Sequence, residues 1–270
     1  MKVACTVLNG ESGSNAADLH NYIIIRYMNY ALLETGKDPM GNAIYDYFDK
    51  GQAGKLRVFS PQFDEDEIPV DTLFREYDEM PELERKALDM AEGKILDVGA
   101  GSGCHSVALL DMGKDVEAID ISPLSVKVME ESGINARLVN LFDPSFVGGY
   151  DTILMLMNGS GIIGSLQNME AFFTCMKELL NPGGCILMDS SDLKYLFEDE
   201  DGSMLIDLAA DYYGEIEFSM QYKQIKGEPF KWLYIDYETL NFYASQYGLK
   251  AELVCSGEHY DYLAKLTLAV

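Results

Sequence analysis

Three glycines, at positions 99, 101 and 103, stand between a short apolar run containing Asp97 and a helical stretch that begins at Cys104. Glycines so spaced allow a tight turn with no side chain in the way, so a ligand can approach the backbone of the loop. Asp120 ends the next apolar run, 21 residues beyond Gly99. A carboxylate there can accept from both hydroxyls of a ribose. Dinucleotide-binding loops read G-x-G-x-x-G. Here the third glycine comes one residue early, and position 104 is cysteine. Asp97 adds a negative charge beside the loop. That charge is badly placed next to a pyrophosphate and well placed next to a cationic, amino-bearing ligand.

Those two departures point to S-adenosylmethionine, whose sulfonium and ammonium groups welcome negative charge. Asp97-Val-Gly-Ala-Gly-Ser-Gly103 resembles the first motif of the class I S-adenosylmethionine-dependent methyltransferases, D/E-x-G-x-G-x-G. Asp120 matches the family's acidic second motif. Asn140 stands where many members carry an aspartate near the adenine amino group, with Asp143 as a rival for that place. Tyr150-Asp151 and the following ILMLMN resemble the fourth motif, and LLNPGGCILMD resembles the helix, turn and strand after it. The resemblance covers about residues 90–190, and 236–270 by strand order. It implies S-adenosylmethionine as cofactor and S-adenosylhomocysteine as product. The implied cofactor residues are Asp97, Gly99, Ala100, Gly101, Gly103, Asp120, Ile121, Asn140, Leu141, Met157 and Asn158. Arg75 or Tyr77 would clasp the methionine carboxylate; otherwise Arg75 is a surface ion pair in an acidic run.

Methyl transfer from a sulfonium is an in-line displacement, so the protein mainly aligns the nucleophile and excludes water. An amine that arrives neutral needs little help from a base, whereas a hydroxyl needs more. The expected acceptor is a small molecule, an amine ahead of a hydroxyl or carboxylate. His105, Asn158 and Asp192 are the candidates for catalytic contact. His105 is alternatively a polar residue in a first helical turn. Asp189, Ser190, Ser191 and Asp192 end an apolar run at the mouth where parallel sheets bind ligands, which makes Ser190 and Asp192 candidate substrate contacts. Trp232 and Tyr234 share a parity, so they face one side of a strand. With Phe230 they form either a cage for a cationic amine or a small core. MNGSG and LNPGGCILMDSSDLKYL are distantly like the glycine- and sarcosine-type N-methyltransferases. His20, His105 and His259 are dispersed, and no metal is expected. Two other readings stay open: a module that binds S-adenosylmethionine or its product without catalysis, and a methyltransferase acting on a protein partner.

The elements that must hold these residues are legible from Gly93 onward. KILDVGA, DVEAIDI, NARLVN, YDTILMLM and CILMDSS read as strands, separated by helices at CHSVALLDM, PLSVKVMEESG and LQNMEAFFTCMKELL. Continuous apolar strands between helices predict an α/β fold with a parallel sheet covered on both faces. The resemblance implies a Rossmann-like sheet of seven strands in the order 3-2-1-4-5-7-6, with strand seven antiparallel. The rhythm breaks over 193–235, where a helical stretch near Ser203–Tyr212 precedes a hairpin, EIEFSMQYK and FKWLYI. Helix DYETLNFYASQYG and two final strands follow. The expected domains are a helical N-terminal cap or lid over 1–85 and a methyltransferase domain over 86–270, with 193–235 as a substrate-side insertion. Within the cap, 9–17 reads as loose and 18–49 as helical. The acidic run at 64–92 reads as a solvated helical face.

Composition bounds the alternatives. The chain has 270 residues, with 20 basic against 45 acidic side chains and a formal net charge of −25. No basic stripe relieves that charge, so nucleic acid and an anionic membrane surface are excluded as partners. A hydrophobic share of 48% supports a buried core. No apolar run reaches a membrane span. Five cysteines with no CxxC pair argue against a disulfide framework and for a reducing, cytoplasmic setting. The oligomeric state is not legible.

Overall fold

The computed structural model describes residues 31–197 and 211–269. Its main sheet is built on β3 (Lys94–Val98), flanked on one side by β4 (Asp115–Asp120) and β5 (Asn135–Leu138), and on the other by β6 (Tyr150–Met155) and β7 (Leu180–Ser191). These five are parallel. β12 (Asp261–Leu268) runs antiparallel to β7, and β11 (Leu249–Ser256) lies outside it. In the order of these seven strands along the chain, the sheet is 3-2-1-4-5-7-6 with the seventh antiparallel, as expected from the motifs.

Alternation along each strand divides the core between two faces. Ile95, Leu154, Cys185, Leu187 and Leu263 pack against α2 (Glu82–Met90) and α3 (Cys104–Asp111). Leu96, Val98, Ile153, Met155, Ile186 and Met188 pack on the other face with α5 (Met169–Leu179) and α6 (Tyr237–Gln246). This parity aims every functional side chain at the strand ends. Asp97 and Asp189 point toward α2 and α3, and Ser190 points the opposite way.

The N-terminal part departs from the helical expectation. Of its described residues, α1 (Pro39–Lys50) is helical, but Leu56–Phe59 (β1) and Asp66–Ile68 (β2) are strands. The alternation Leu56-Arg57-Val58 suits a sheet with one covered face. Ion pairs from Lys55 to Glu67 and from Arg57 to Glu65 join the two strands across their acidic outer side. β1 pairs in turn with β8 (Glu215–Tyr222) of the 193–235 insertion, Val58 opposite Met220. β8 also pairs with β9 (Ile225–Lys226) and β10 (Phe230–Leu233). The expected hairpin is therefore present, and the chain's beginning shares its sheet. Residues 9–17, most of 18–49 before α1, and most of the expected Ser203–Tyr212 helix lie outside the described residues.

This second sheet forms a roof. Leu56, Val58, Tyr222, Met220, Phe218, Phe230 and Trp232 share one side by register. At one end, Leu56 and Tyr222 are buried with Ala43 and Ile44 of α1 and Val128 of α4 (Pro123–Glu131). At the other end, Trp232 lies on the short helical turn Gly159–Ile163 after β6. A Cβ at Gly161 would stand 1.8 Å from the indole, so only glycine fits beneath it.

Candidate active site

The glycine loop opens at the carboxyl end of β3. Gly99, Gly101 and Gly103 take φ of 67°, 59° and 85°, the left-handed region that favours glycine. Gly99 and Ala100 both donate their amides to the Ile119 carbonyl, which folds the loop back over β4. Beyond β4, Asp120 is half-buried. Its Oδ2 accepts from the Gly101 amide at 2.9 Å and its Oδ1 from the Ser122 amide at 2.8 Å. Burial pushes its carboxyl up to about 6 despite those two bonds.

The N-terminal segment closes this side. Asp38 caps α1 by accepting from the Gly41 amide at 2.8 Å. Its other oxygen accepts from the Ser122 hydroxyl at 2.5 Å, and that hydroxyl accepts from the Ser125 amide to cap α4. The Leu33 amide donates to the Ile121 carbonyl at 2.9 Å, and Asn140 Nδ2 reaches the Ala31 carbonyl at 3.5 Å. Asn140 Oδ1 also accepts from the Phe142 amide, while Leu141 is buried in the core. Asp143 is turned outward, accepting from Ser145.

On the α2 and α3 side, Asp97 is buried and accepts from the Ser106 hydroxyl at 2.7 Å. Burial raises its pKa, and nearby His105 opposes the shift. His105 Nε2 lies 2.9 Å from Glu84 Oε2, and the same oxygen accepts from Arg75 Nε at 3.2 Å and from its Nη2. Arg75, Glu84 and His105 thus form a buried hydrogen-bonded cluster around one carboxylate oxygen. His105 and the Arg75 guanidinium overcome the burial cost and hold the Glu84 carboxyl below its ordinary value. Arg75 is no surface pair. Tyr77 is bound to Asp89 at 2.8 Å, away from the loop.

Glu84 was hidden in the acidic run. The run is not simply a solvated face, because position 84 falls on the buried stripe Leu83, Ala87 and Leu88 of α2, continued by Met80 before the helix and Ala91 after it. That three-and-four spacing was the available signal: an acid on an apolar stripe needs buried partners.

After β6, Met157 and Asn158 adopt φ of 64° and 57°, a left-handed pair that exposes Met157. Asn158 Oδ1 accepts from the Ser191 hydroxyl at 2.8 Å. The next amide, of Gly159, donates to Asp189 Oδ1 at 2.9 Å. Glu84, Leu83, Pro81, Met157, Asn158, Asp189 and Asp261 line a cavity of about 260 Å³. Asp192 is bound to the Tyr213 hydroxyl at 2.8 Å and caps the short turn that follows. Ser190 is set apart. It is fully buried on the opposite face and bound to the Ser160 hydroxyl and the Ile235 amide, because its parity is opposite to that of Asp189. Trp232 and Tyr234 do share a side, alternating with buried Leu233 and Ile235. Their rings join Phe218 and Phe230 in edge and tilted contacts of 6.1 to 6.4 Å. A group of three or more metal-ligating side chains is absent among the described residues.

Comparison with known proteins bears on this arrangement. The profile of the methyltransferase domain family matches residues 71–250. A solved structure, the SAM-dependent methyltransferase from Bacteroides fragilis in complex with S-adenosyl-L-homocysteine, is 64% identical, with a TM-score of 0.86 over 90% of this chain and 100% of that one. The CcbJ methyltransferase from Streptomyces caelestis shares the fold, with a TM-score of 0.55 at 15% identity over 86% of this chain and 98% of that one. Among curated relatives, the ubiquinone biosynthesis O-methyltransferase of Xanthomonas euvesicatoria is 29% identical over 111 residues, 38% of this chain and 45% of its own length.

Proposed function

We propose, since this chain belongs to the class I S-adenosylmethionine-dependent methyltransferase family, that it transfers a methyl group from that cofactor to a small-molecule acceptor at the carboxyl ends of the parallel strands. The observation that carries this reading is the left-handed glycine loop facing Asp120. Gly99 is packed by Ile162 and Gly103 by Ile134 and Met129, Gly101 is the least crowded of the three, and Asp120 is a carboxylate already oriented by two amides.

The residues fit the cofactor. Asp120 suits two ribose hydroxyls. Ala100, Gly101 and Ile121 border that place, and Asn140 and Leu141 form the next wall, toward adenine. Gly99 and Gly103 let the loop turn tightly against Ile162, Ile134 and Met129, and Asp97 supplies negative charge beneath it. Met157 and Asn158 border the methionine end. Arg75 acts there through Glu84 rather than by reaching out, since its Nε and Nη2 are spent on that carboxylate and its Nη1 donates to the Thr72 carbonyl. When bound, the cofactor supplies a methyl group already activated on sulfur. The chain's task is alignment and dryness: the roof excludes water, and the strand ends fix the angle of approach. The described parts of 1–85 act as a cap, and those of 193–235 as a substrate-side insertion whose Trp232 lies on Gly161 of the turn after β6. No helix among the described residues is long and apolar enough to cross a membrane. The four described cysteines are free, in keeping with a reducing, cytoplasmic setting.

Calorimetry with S-adenosylhomocysteine, followed by a radiolabelled methyl-transfer assay on a pool of small metabolites, tests the proposal. Micromolar binding and label transfer are expected. Absence of binding to both cofactor and product would overturn it.

A further inference from the structure

Once the cofactor cradle is assigned, one buried charge is left over. Asp189 is 7% exposed and accepts from the Gly159 and Asn158 amides, but its carboxylate has no ion-pair partner among the described residues. Burying a carboxylate without a cation is costly, even with amide hydrogen bonds. The basic side chains in its neighbourhood are committed elsewhere. The Arg75 guanidinium and the His105 ring serve Glu84, and Lys194 lies 3.5 Å from Asp192. Asp189 nonetheless faces a cavity of about 260 Å³, continuous with Met157 and Asn158. The ionisable side chains lining that cavity are Glu84, Asp189 and Asp261, all carboxylates. Near it the backbone carbonyl of Tyr260 accepts from the Asp192 amide, and the exposed rings of Tyr260 and Tyr195 stack at 4.8 Å and 13°.

An anionic acceptor would be repelled here, and a neutral alcohol would leave the buried charge unmatched. An ammonium group matches it, and aromatic faces add attraction for the same cation. Resting on the methyltransferase reading above, we propose that the acceptor is an amine that enters as an ammonium ion, pairs with Asp189, and yields a proton to that carboxylate before it attacks. The balance is simple. The N–H bond breaks and its proton goes to Asp189. The freed lone pair forms the N–CH3 bond as the S–CH3 bond breaks, its electron pair staying on sulfur. The methylated amine carries the positive charge away, and Asp189 returns its proton to water. Burial pushes the Asp189 carboxyl up to about 6, which suits a group that must take and release a proton near neutrality.

The test is calorimetry on the full chain saturated with S-adenosylhomocysteine, titrated with benzylamine, benzyl alcohol and benzoate, and with hexylamine and hexanol. The amines are expected to bind at least tenfold more tightly than the matched alcohols, with benzoate weakest. Asp189→Asn should cost the amines at least tenfold and the alcohols less than twofold, with S-adenosylhomocysteine affinity kept within about threefold. If that variant does not fold, Asp261→Asn at the cavity rim should still weaken the amines three- to fivefold. Equal affinity for amine and alcohol, a preference for benzoate, no amine binding, or an undiminished preference in Asp189→Asn overturns the proposal. Failure of S-adenosylhomocysteine itself to bind would instead sink the methyltransferase reading.

Discussion

Asp120 and Asp189 sit at the same edge of the sheet, one closing β4 and the other near the end of β7, and each accepts from a glycine amide at 2.9 Å. Burial raises both carboxyls to about 6. Their surroundings differ. Each takes a second amide, Asp120 from Ser122 and Asp189 from Asn158, but Asp120 is also tied through Ser122 to Asp38 and the N-terminal segment. Asp189 opens onto a cavity and has only carboxylates for charged neighbours along its wall. A carboxylate oriented by fixed amides, next to another acid, is suited to neutral hydroxyl donors. A carboxylate facing space, with no cation, is suited to a mobile cation. In the proposed reading the same side chain at equivalent strand ends serves recognition on one side and acceptor chemistry on the other.

The strongest way to break this comparison is Asp120→Ala. It should weaken S-adenosylhomocysteine binding by about 1–3 kcal/mol, the cost of losing a hydrogen-bonded charge. Calorimetry reads it, and an unchanged affinity refutes the ribose role. Acidity sharpens the contrast next. A carboxyl whose folded pKa is near 6 binds its proton more tightly folded than unfolded, so its contribution to stability is greatest below about 4 and is lost as pH rises toward 6. Wild type should therefore lose melting temperature relative to Asp189→Asn between pH 4 and 7. Affinity for S-adenosylhomocysteine should move the other way, falling by up to about tenfold from pH 7 to pH 5 as Asp120 protonates. Asp120→Asn should flatten the affinity profile, while Asp189→Asn should leave it intact. The smallest effect is expected at Asp38→Ala, about 1 kcal/mol of stability from a lost helix cap. Its affinity loss should vanish when combined with Asp120→Ala, because Asp38 acts through Ser122 on that carboxylate.

The order of the main sheet and the turn at Gly99, Gly101 and Gly103 between Asp97 and Asp120 were legible because a glycine loop between strand and helix leaves little freedom of arrangement. Trp232 and Tyr234 were legible as a pair by parity alone. Ser190 was misplaced among the candidates because residue type at a strand end does not tell which face a side chain takes; the register of β7 does. Glu84 was obscured by its acidic neighbours, since net charge masks one position on an apolar stripe. The strand at Leu56–Phe59 was missed for a different reason. Four residues carry little periodicity, and its partner, β8, lies far along the chain.

That distance has a thermodynamic meaning. Val58 meets Met220 across 162 residues of chain. Closing so long a loop costs entropy before any contact repays it, so the roof is a late-forming part of the fold. A ligand that binds only when this pairing is formed would add its own binding free energy to it. Amide exchange of β8 and β1, with and without S-adenosylhomocysteine, measures whether an occupant of the site is coupled to the roof.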